Sequence, residues 1–132
     1  MKITHYELSF ELDDDWWTEA EMSGFVPKSK AYSVAPQGSR EIHEVRIEDV
    51  GPVLRDPIFR DSVEEGSAHD RVVRILRGFR SRDAIPPVEI AKNQSNYGHS
   101  YKLVHGAHRF YCSLAAGFTH VPAVQGFDWD TR

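Results

Sequence analysis

Hydrophobic and polar positions alternate near the start of the chain, in the segment "THYELSFEL" (residues 4–12). Apolar or aromatic side chains recur at every second position from Tyr6 to Leu12, which is typical of a half-buried strand. The segment "DDDWWTEAEMSGF" predicts a short helix with Asp15 as N-cap and Gly24 as its stop. Residues 27–40 hold two prolines, a glycine and several serines, which predict a loop. Residues 1–40 are therefore interpreted as an N-terminal extension.

The strongest helical pattern lies in "SAHDRVVRILRGFRSR". Ser67 and Asp70 form a capping signature at its start. One apolar face follows at helical spacing: Val72, Ile75, Leu76 and Phe79. Three basic residues fall on the other side: Arg71, Arg74 and Arg77. The pattern predicts a helix near residues 68–80, whose arginines either form a solvated basic face or border an anion site.

The remaining apolar segments are short and separated by turn residues. "REIHEVRIEDV" predicts a strand centred on Val45 and Ile47, and the proline-containing residues 51–66 predict an irregular segment. After the helix come a strand in "IPPVEIAKN", a polar turn in "NQSNYGHS", a strand in "YKLVH", a helix near residues 107–116 ended by Gly117, and a strand in "THVPAV". We predict an α+β fold in which two helices pack on a small mixed sheet within residues 41–132.

Composition and charge narrow the function classes. The chain has 132 residues and one cysteine, which predict a single core and a reducing compartment. It shows neither a signal peptide nor the ~18 consecutive apolar residues of a membrane helix, so we expect a cytoplasmic protein without membrane contact. With 20 acidic and 16 basic residues, the net charge is -4. A nucleic-acid partner is therefore not expected, whereas a small anion needs only a local site.

The junction between the strand "YKLVH" and the following helix carries candidate chemistry. A helix that begins directly after Gly106 presents free backbone N–H groups and the positive end of its dipole. Arg109 would add a planar set of donors suited to phosphate oxygens. His108 would donate a hydrogen bond or carry charge near neutral pH. In the alternative interpretation, Arg109 pairs with a carboxylate and His108 only caps the turn.

From about Val45 to Val124 the sequence resembles the ParB/sulfiredoxin superfamily. The resemblance is carried by "VRIEDVGPVLRDP", the amphipathic helix, "IPPVEI", "YKLVHGAHR" and "GFTHVPAV", in that order. It implies a ParB/sulfiredoxin-like domain over residues 41–132. Members of that superfamily include sulfiredoxins, CTP-binding DNA-partition proteins, free-serine kinases and nuclease-like proteins. They bind nucleotide phosphates at a Gly-x-His-Arg or related turn.

The resemblance implies a set of site residues and a cofactor. Four consecutive residues fall on the phosphate turn: Gly106, Ala107, His108 and Arg109. Arg55 falls where sulfiredoxins place an active-site arginine, and Arg71 and Arg74 fall near helix residues that meet the nucleotide. The implied cofactor is ATP or another nucleoside triphosphate, with Mg²⁺ brought in by the phosphates. His108 and Arg55 would be the catalytic residues.

Departures from the superfamily patterns restrict the reaction. Ala107 stands where sulfiredoxins carry their catalytic cysteine, so sulfiredoxin activity is not expected. His105 stands where free-serine kinases often have an acidic residue. Cys112 lies one helical turn beyond His108, which permits a Cys–His pair, although a buried packing role is the favoured interpretation.

The histidines do not predict a bound transition metal. His99 and His105 lie at opposite ends of a predicted strand, about 20 Å apart if the chain is extended. They would not converge with His108 on one ion, and no metal site is assigned. For Mg²⁺ carried by a nucleotide, Asp56 and Asp61 are the nearest carboxylates in the sequence.

The sequence thus predicts a nucleotide-binding domain with ATPase or phosphotransfer chemistry. In this hypothesis His108 orients a phosphoryl oxygen or helps to move a proton, and Arg55 faces the γ-phosphate or the second substrate. One alternative is a non-catalytic module of the toxin–antitoxin or mobile-element type that binds a protein partner or forms a homo-oligomer, with Trp16 and Trp17 as interface anchors. Another is a DNA-associated, nuclease-like protein.

Overall fold

Six strands and three α-helices form within the residues that the computed structural model describes, 1–93 and 98–126. The strands are β1 (Lys2–His5), β2 (Leu8–Glu11), β3 (His43–Arg46), β4 (Val88–Lys92), β5 (Tyr101–His105) and β6 (His120–Gln125). The helices are α1 (Asp14–Glu19), α2 (Ala68–Ser81) and α3 (Ala107–Ala116). The predicted α+β class is confirmed.

The first alternating segment forms a hairpin, so the prediction of one strand over residues 4–12 is wrong. β1 and β2 pair antiparallel, with Ile3 opposite Phe10 and His5 opposite Leu8. Tyr6 turns the chain in the left-handed region, with a φ of 57°. No glycine marks this turn in the sequence, so the alternation by itself predicts one continuous strand.

Helix α1 begins and ends earlier than predicted. Its N-cap is Asp13, whose carboxylate accepts the N–H of Asp15 at 2.8 Å. Asp15 is therefore inside the first turn and is not the cap. The helix ends at Glu19 with Ala20 as its C-cap, and so it stops before Gly24.

Helix α2 follows its sequence signals closely. The Ser67 hydroxyl accepts the N–H of Asp70 at 3.0 Å, as the capping signature predicts. Val72, Leu76 and Phe79 are buried on one face, whereas Ile75 is half-buried at its margin.

The main sheet is mixed, with the spatial order β3-β6-β4-β5. β6 pairs antiparallel with β3 and parallel with β4, while β4 and β5 pair antiparallel. The predicted strand around Val45 is confirmed, but Ile47 begins a 3-10 turn after β3 ends. Part of the predicted polar turn, residues 94–97, lies outside the described residues.

One buried cluster connects the sheet, the helices and the N-terminal segment. Ile3, Leu12 and Met22 belong to the same cluster as Phe110 of α3 and Leu76 of α2. The hairpin and α1 therefore pack on the rest of the chain, and the domain boundary near residue 40 stays a prediction. Within the described residues, no helix is long and apolar enough to cross a membrane.

Candidate functional site

An open cavity of about 930 Å³ lies beside the N-terminus of α3. Its walls come from α2, the end of β5, the start of α3 and the loop before α2. Five arginines line it: Arg55, Arg60, Arg71, Arg74 and Arg109. We call it the arginine cavity. The structure thus brings together all six predicted nucleotide-contact residues and Arg55, since Gly106, Ala107 and His108 also line this cavity.

Gly106 shapes the entrance to α3. It adopts a φ of 102°, in the left-handed region that favours glycine. A Cβ built on it would lie 2.9 Å from Cγ1 of Val88, so a side chain would also collide with β4. The first intrahelical bond joins the N–H of Phe110 to the Gly106 carbonyl, so the N–H groups of Ala107, His108 and Arg109 precede it. The helix start therefore has three backbone N–H groups that precede the first intrahelical bond, at residues that line the cavity.

The Arg109 guanidinium folds back over this turn. Its Nη2 lies 3.0 Å from the position that a Gly106 Cβ would occupy. Among the described residues no carboxylate lies within 4.0 Å of Arg109, so the alternative in which it forms an ion pair is not seen there. Its charge also reaches Tyr32, where it opposes the increase in pKa that burial causes. Arg109 is half-buried and has no carboxylate partner among the described residues.

Two of the three predicted arginines of α2 line the arginine cavity, and the third contacts α1. Arg71 pairs with Glu65, with Nη2 and Oε2 2.6 Å apart, and also donates to the carbonyl of Arg60 at 3.2 Å. Arg74 is exposed at the cavity and has no carboxylate within 4.0 Å among the described residues. Arg77 does not line the cavity and donates to the carbonyl of Glu19 in α1. The basic side of α2 is therefore neither wholly solvated nor wholly part of the site.

Residues 53–60, which we call the arginine loop, carry two further guanidinium groups. Arg55 donates through Nε to the carbonyl of Ile58 at 3.0 Å, and Arg60 donates through Nε to that of Pro57 at 3.0 Å. Burial, followed by the charges of Arg60 and Arg71, lowers the pKa of Arg55. Repulsion among these cations favours binding of an anion between them.

His108 lines the arginine cavity and contacts the backbone of the arginine loop. The ring is buried, and its Nε2 accepts the backbone N–H of Arg60 at 3.0 Å. Burial, followed by the charges of Arg71 and Arg55, lowers the pKa of His108 to about 4. The imidazole is thus neutral near pH 7, and its proton lies on Nδ1 because Nε2 accepts a hydrogen bond. Its role as a catalytic residue stays a prediction.

Tyr111 forms a polar contact with the cavity wall, and the sequence analysis did not predict this contact. Its side chain is fully buried, and its hydroxyl accepts the N–H of Val53 at 3.0 Å. The same hydroxyl lies 3.1 Å from Nδ1 of His5 in β1. The available signal was the three-residue spacing of His108 and Tyr111, which places two polar-tipped side chains on one buried helix face.

Carboxylates and the thiol have local structural roles. Asp61 lines the cavity and accepts the N–H of Ala68 at 2.7 Å, whereas Asp56 does not line it. In residues 1–93 and 98–126, no group of three or more His, Cys, Asp or Glu side chains is arranged to hold a metal ion. Cys112 is fully buried, and burial raises its thiol pKa, which agrees with a packing role.

Comparison of the chain with protein-family models, with curated proteins and with solved structures gave no match. The resemblance to the ParB/sulfiredoxin superfamily therefore stays a prediction.

Proposed function

We propose that the arginine cavity binds the phosphate groups of a nucleoside triphosphate. The observation that carries this proposal is the meeting of four guanidinium groups, none with a carboxylate partner among the described residues, with one helix N-terminus. Arg55, Arg60, Arg74 and Arg109 line the cavity without a carboxylate within 4.0 Å among the described residues. Planar guanidinium donors and free backbone N–H groups suit phosphate oxygens. A triphosphate also supplies several negative charges, which four neighbouring cations favour.

The position of each group suggests its part in binding. Arg109 and the N–H groups of α3 would hold one phosphate, because they share the same turn. Arg74, which is exposed, would reach a second phosphate or the nucleoside side. Arg55 lies on the arginine loop and would face the terminal phosphate. Mg²⁺ would arrive with the nucleotide and would neutralise part of its phosphate charge.

ATPase or phosphotransfer chemistry is the reaction class that such a site favours. Fixed cations stabilise the charge that spreads over phosphoryl oxygens in the transition state. A neutral His108 whose Nε2 already accepts a hydrogen bond does not provide a charged acid at neutral pH. The proposal therefore gives Arg55, rather than His108, the contact with the reacting phosphate.

The interaction-module alternative gains no support from the two tryptophans. Trp16 and Trp17 are half-buried and pack against the core, and Trp16 stacks on His69 of α2 with ring centroids 5.3 Å apart. The Trp16 ring therefore takes part in the contact between α1 and α2.

Calorimetric titration with ATP, CTP, GTP and ADP, with and without Mg²⁺, tests the proposal. We expect saturable binding that Arg109→Ala weakens about tenfold or more, since a charge-assisted hydrogen bond contributes about 1.5–3 kcal/mol. Arg80→Ala is the matched control, because Arg80 lies on α2 outside the cavity and pairs with Glu21. Absence of binding to all four nucleotides, or equal affinity in Arg109→Ala and the wild type, would refute it.

A further inference from the structure

Two side chains of α3 hold the two ends of the arginine loop. The Nε2 of His108 accepts the N–H of Arg60, and the hydroxyl of Tyr111 accepts the N–H of Val53, both at 3.0 Å. These acceptors are three residues apart and lie on the same side of the helix. The loop between the two bonds carries Arg55, and Arg60 lies at its end.

Burial makes these two hydrogen bonds hard to replace. His108 is only 5% exposed and Tyr111 is 0% exposed. Water therefore has little access to either acceptor, and an N–H that lost its acceptor would be left unpaired or would have to move to solvent. The backbone of the arginine loop is thus fixed relative to the helix whose N-terminus borders the cavity.

The N-terminal hairpin adds a third and a fourth contact. Nδ1 of His5 in β1 lies 3.1 Å from the Tyr111 hydroxyl, and His5 is itself buried. A phenol oxygen that accepts the Val53 N–H keeps its own proton to donate to His5. Phe10 of β2 packs edge-on against Phe59 of the loop, with ring centroids 5.4 Å apart, and Phe59 packs on His108.

We infer that His108 and Tyr111 are positioning residues that hold the arginine loop against α3, with His5 fixing the direction of the Tyr111 hydroxyl. This inference rests on the proposed function, because its consequence is the placement of Arg55 and Arg60 for phosphate binding. His108 then acts as a hydrogen-bond acceptor through Nε2 and transfers no proton. The N-terminal segment contributes to the site through His5 and Phe10 without lining the cavity.

Two pairs of variants separate this role from acid–base chemistry. His108→Gln can present an amide oxygen near the position of Nε2, whereas His108→Ala cannot. We expect His108→Gln to keep ATP affinity within about threefold of the wild type and His108→Ala to lose about tenfold. Tyr111→Phe keeps the ring and removes only the hydroxyl, and should weaken binding about fivefold. Tyr101→Phe, a change outside the arginine cavity, is its control.

Amide hydrogen exchange measured without nucleotide gives a second readout that does not depend on binding. Tyr111→Phe should accelerate exchange at Val53, and His108→Ala should accelerate it at Arg60, while His108→Gln restores protection at Arg60. If His108→Ala does not fold, Tyr111→Phe and His108→Gln still test the inference.

The two proposals fail in distinguishable ways. A wild-type chain that binds no nucleotide but shows the expected exchange pattern refutes only the proposed function. Unchanged protection at Val53 in Tyr111→Phe and at Arg60 in His108→Ala refutes the positioning role. ATP turnover that His108→Gln abolishes while ATP affinity is retained would also overturn it, because that result assigns proton transfer to the imidazole.

Discussion

A carboxylate oxygen of Glu65 lies 2.6 Å from Nη2 of Arg71, in the wall of the arginine cavity. The Arg71 side chain is only 18% exposed, whereas that of Glu65 is 52% exposed, so the pair is shielded from solvent on the arginine side alone. Glu65 therefore occupies one guanidinium group with an anion that belongs to the chain itself.

We expect Glu65→Gln to raise ATP affinity severalfold, because the substitution frees Arg71 and removes a competing negative charge. Glu64→Gln is the matched control, since Glu64 lines the same cavity but forms no ion pair within 4.0 Å among the described residues. Calorimetry on the two variants separates the specific effect from the general change in charge. Equal affinities in Glu64→Gln and Glu65→Gln would contradict the prediction.

Gly106→Ala should destabilise the fold more than Gly117→Ala does. Both glycines have positive φ angles, 102° and 95°, which cost an alanine about 1–2 kcal/mol. At Gly106 the added Cβ would also lie 2.9 Å from Val88, whereas at Gly117 the nearest atom is 3.5 Å away, on Pro27. We expect losses of about 2–4 and about 1–2 kcal/mol in the free energy of unfolding. Urea denaturation measures both, and equal losses would show that the contact with β4 relaxes.

Cys112 should not react with a thiol reagent while the chain is folded. The thiolate is the reactive form, and burial both raises the pKa of this thiol and excludes the reagent. Ellman's reagent should label the chain only after denaturant is added. Fast labelling of the folded chain would restore the hypothesis of a reactive Cys112–His108 pair.

The contact between α1 and α2 should strengthen as the pH falls. The hydrogen bond that the His69 ring donates to the Glu19 carboxylate, supported by the charges of Glu19, Asp70 and Asp13, raises the pKa of His69. Because the pKa of His69 is higher in the folded chain, protonation of this residue stabilises the fold. The stabilisation is complete at pH values below the unfolded-state pKa of 6.5, and it is lost as the pH rises through the folded-state pKa. The carbonyl of Glu19 also accepts a hydrogen bond from Arg77, which keeps α1 in place at either pH.

The measurement is the difference in unfolding free energy between the wild type and His69→Gln. This difference should be larger at pH 5.5 than at pH 8.5, and added salt should reduce it because the pair is exposed. A difference that does not change with pH would show that the stacking on Trp16 dominates the contact.

The features that could be predicted from the sequence are those encoded by residues close together in the chain. The Ser67 cap, the apolar face of α2 and the glycines at both ends of α3 depend on neighbouring residues, and the structure confirms them. The Tyr6 turn was missed because a non-glycine residue adopts a positive φ there. Among three consecutive aspartates, sequence alone could not select Asp13 as the cap.

The candidate site was predictable as a set of residues but not as a set of contacts. Gly106 and Arg109 were identified from their place at a strand-to-helix junction. The Arg71–Glu65 pair and the bond from Arg60 to His108 join elements that are distant or irregular in the sequence. The bond to His108 depends on how the arginine loop packs on α3, and the ion pair depends on how Glu65, in the irregular segment before α2, folds against that helix. No local pattern encodes either contact.

The position of β6 has a consequence for the synthesis of the chain. β6 is the last strand among the described residues, yet it lies inside the sheet between β3 and β4. A nascent chain that has emerged from the ribosome only as far as Gly117 has β3 without its partner, and β4 with β5 as a two-stranded hairpin, which is marginally stable in water. We therefore expect the sheet to assemble only after residues 120–125 have left the exit tunnel. Until that point, chaperones would meet a chain whose sheet-facing apolar residues are still exposed.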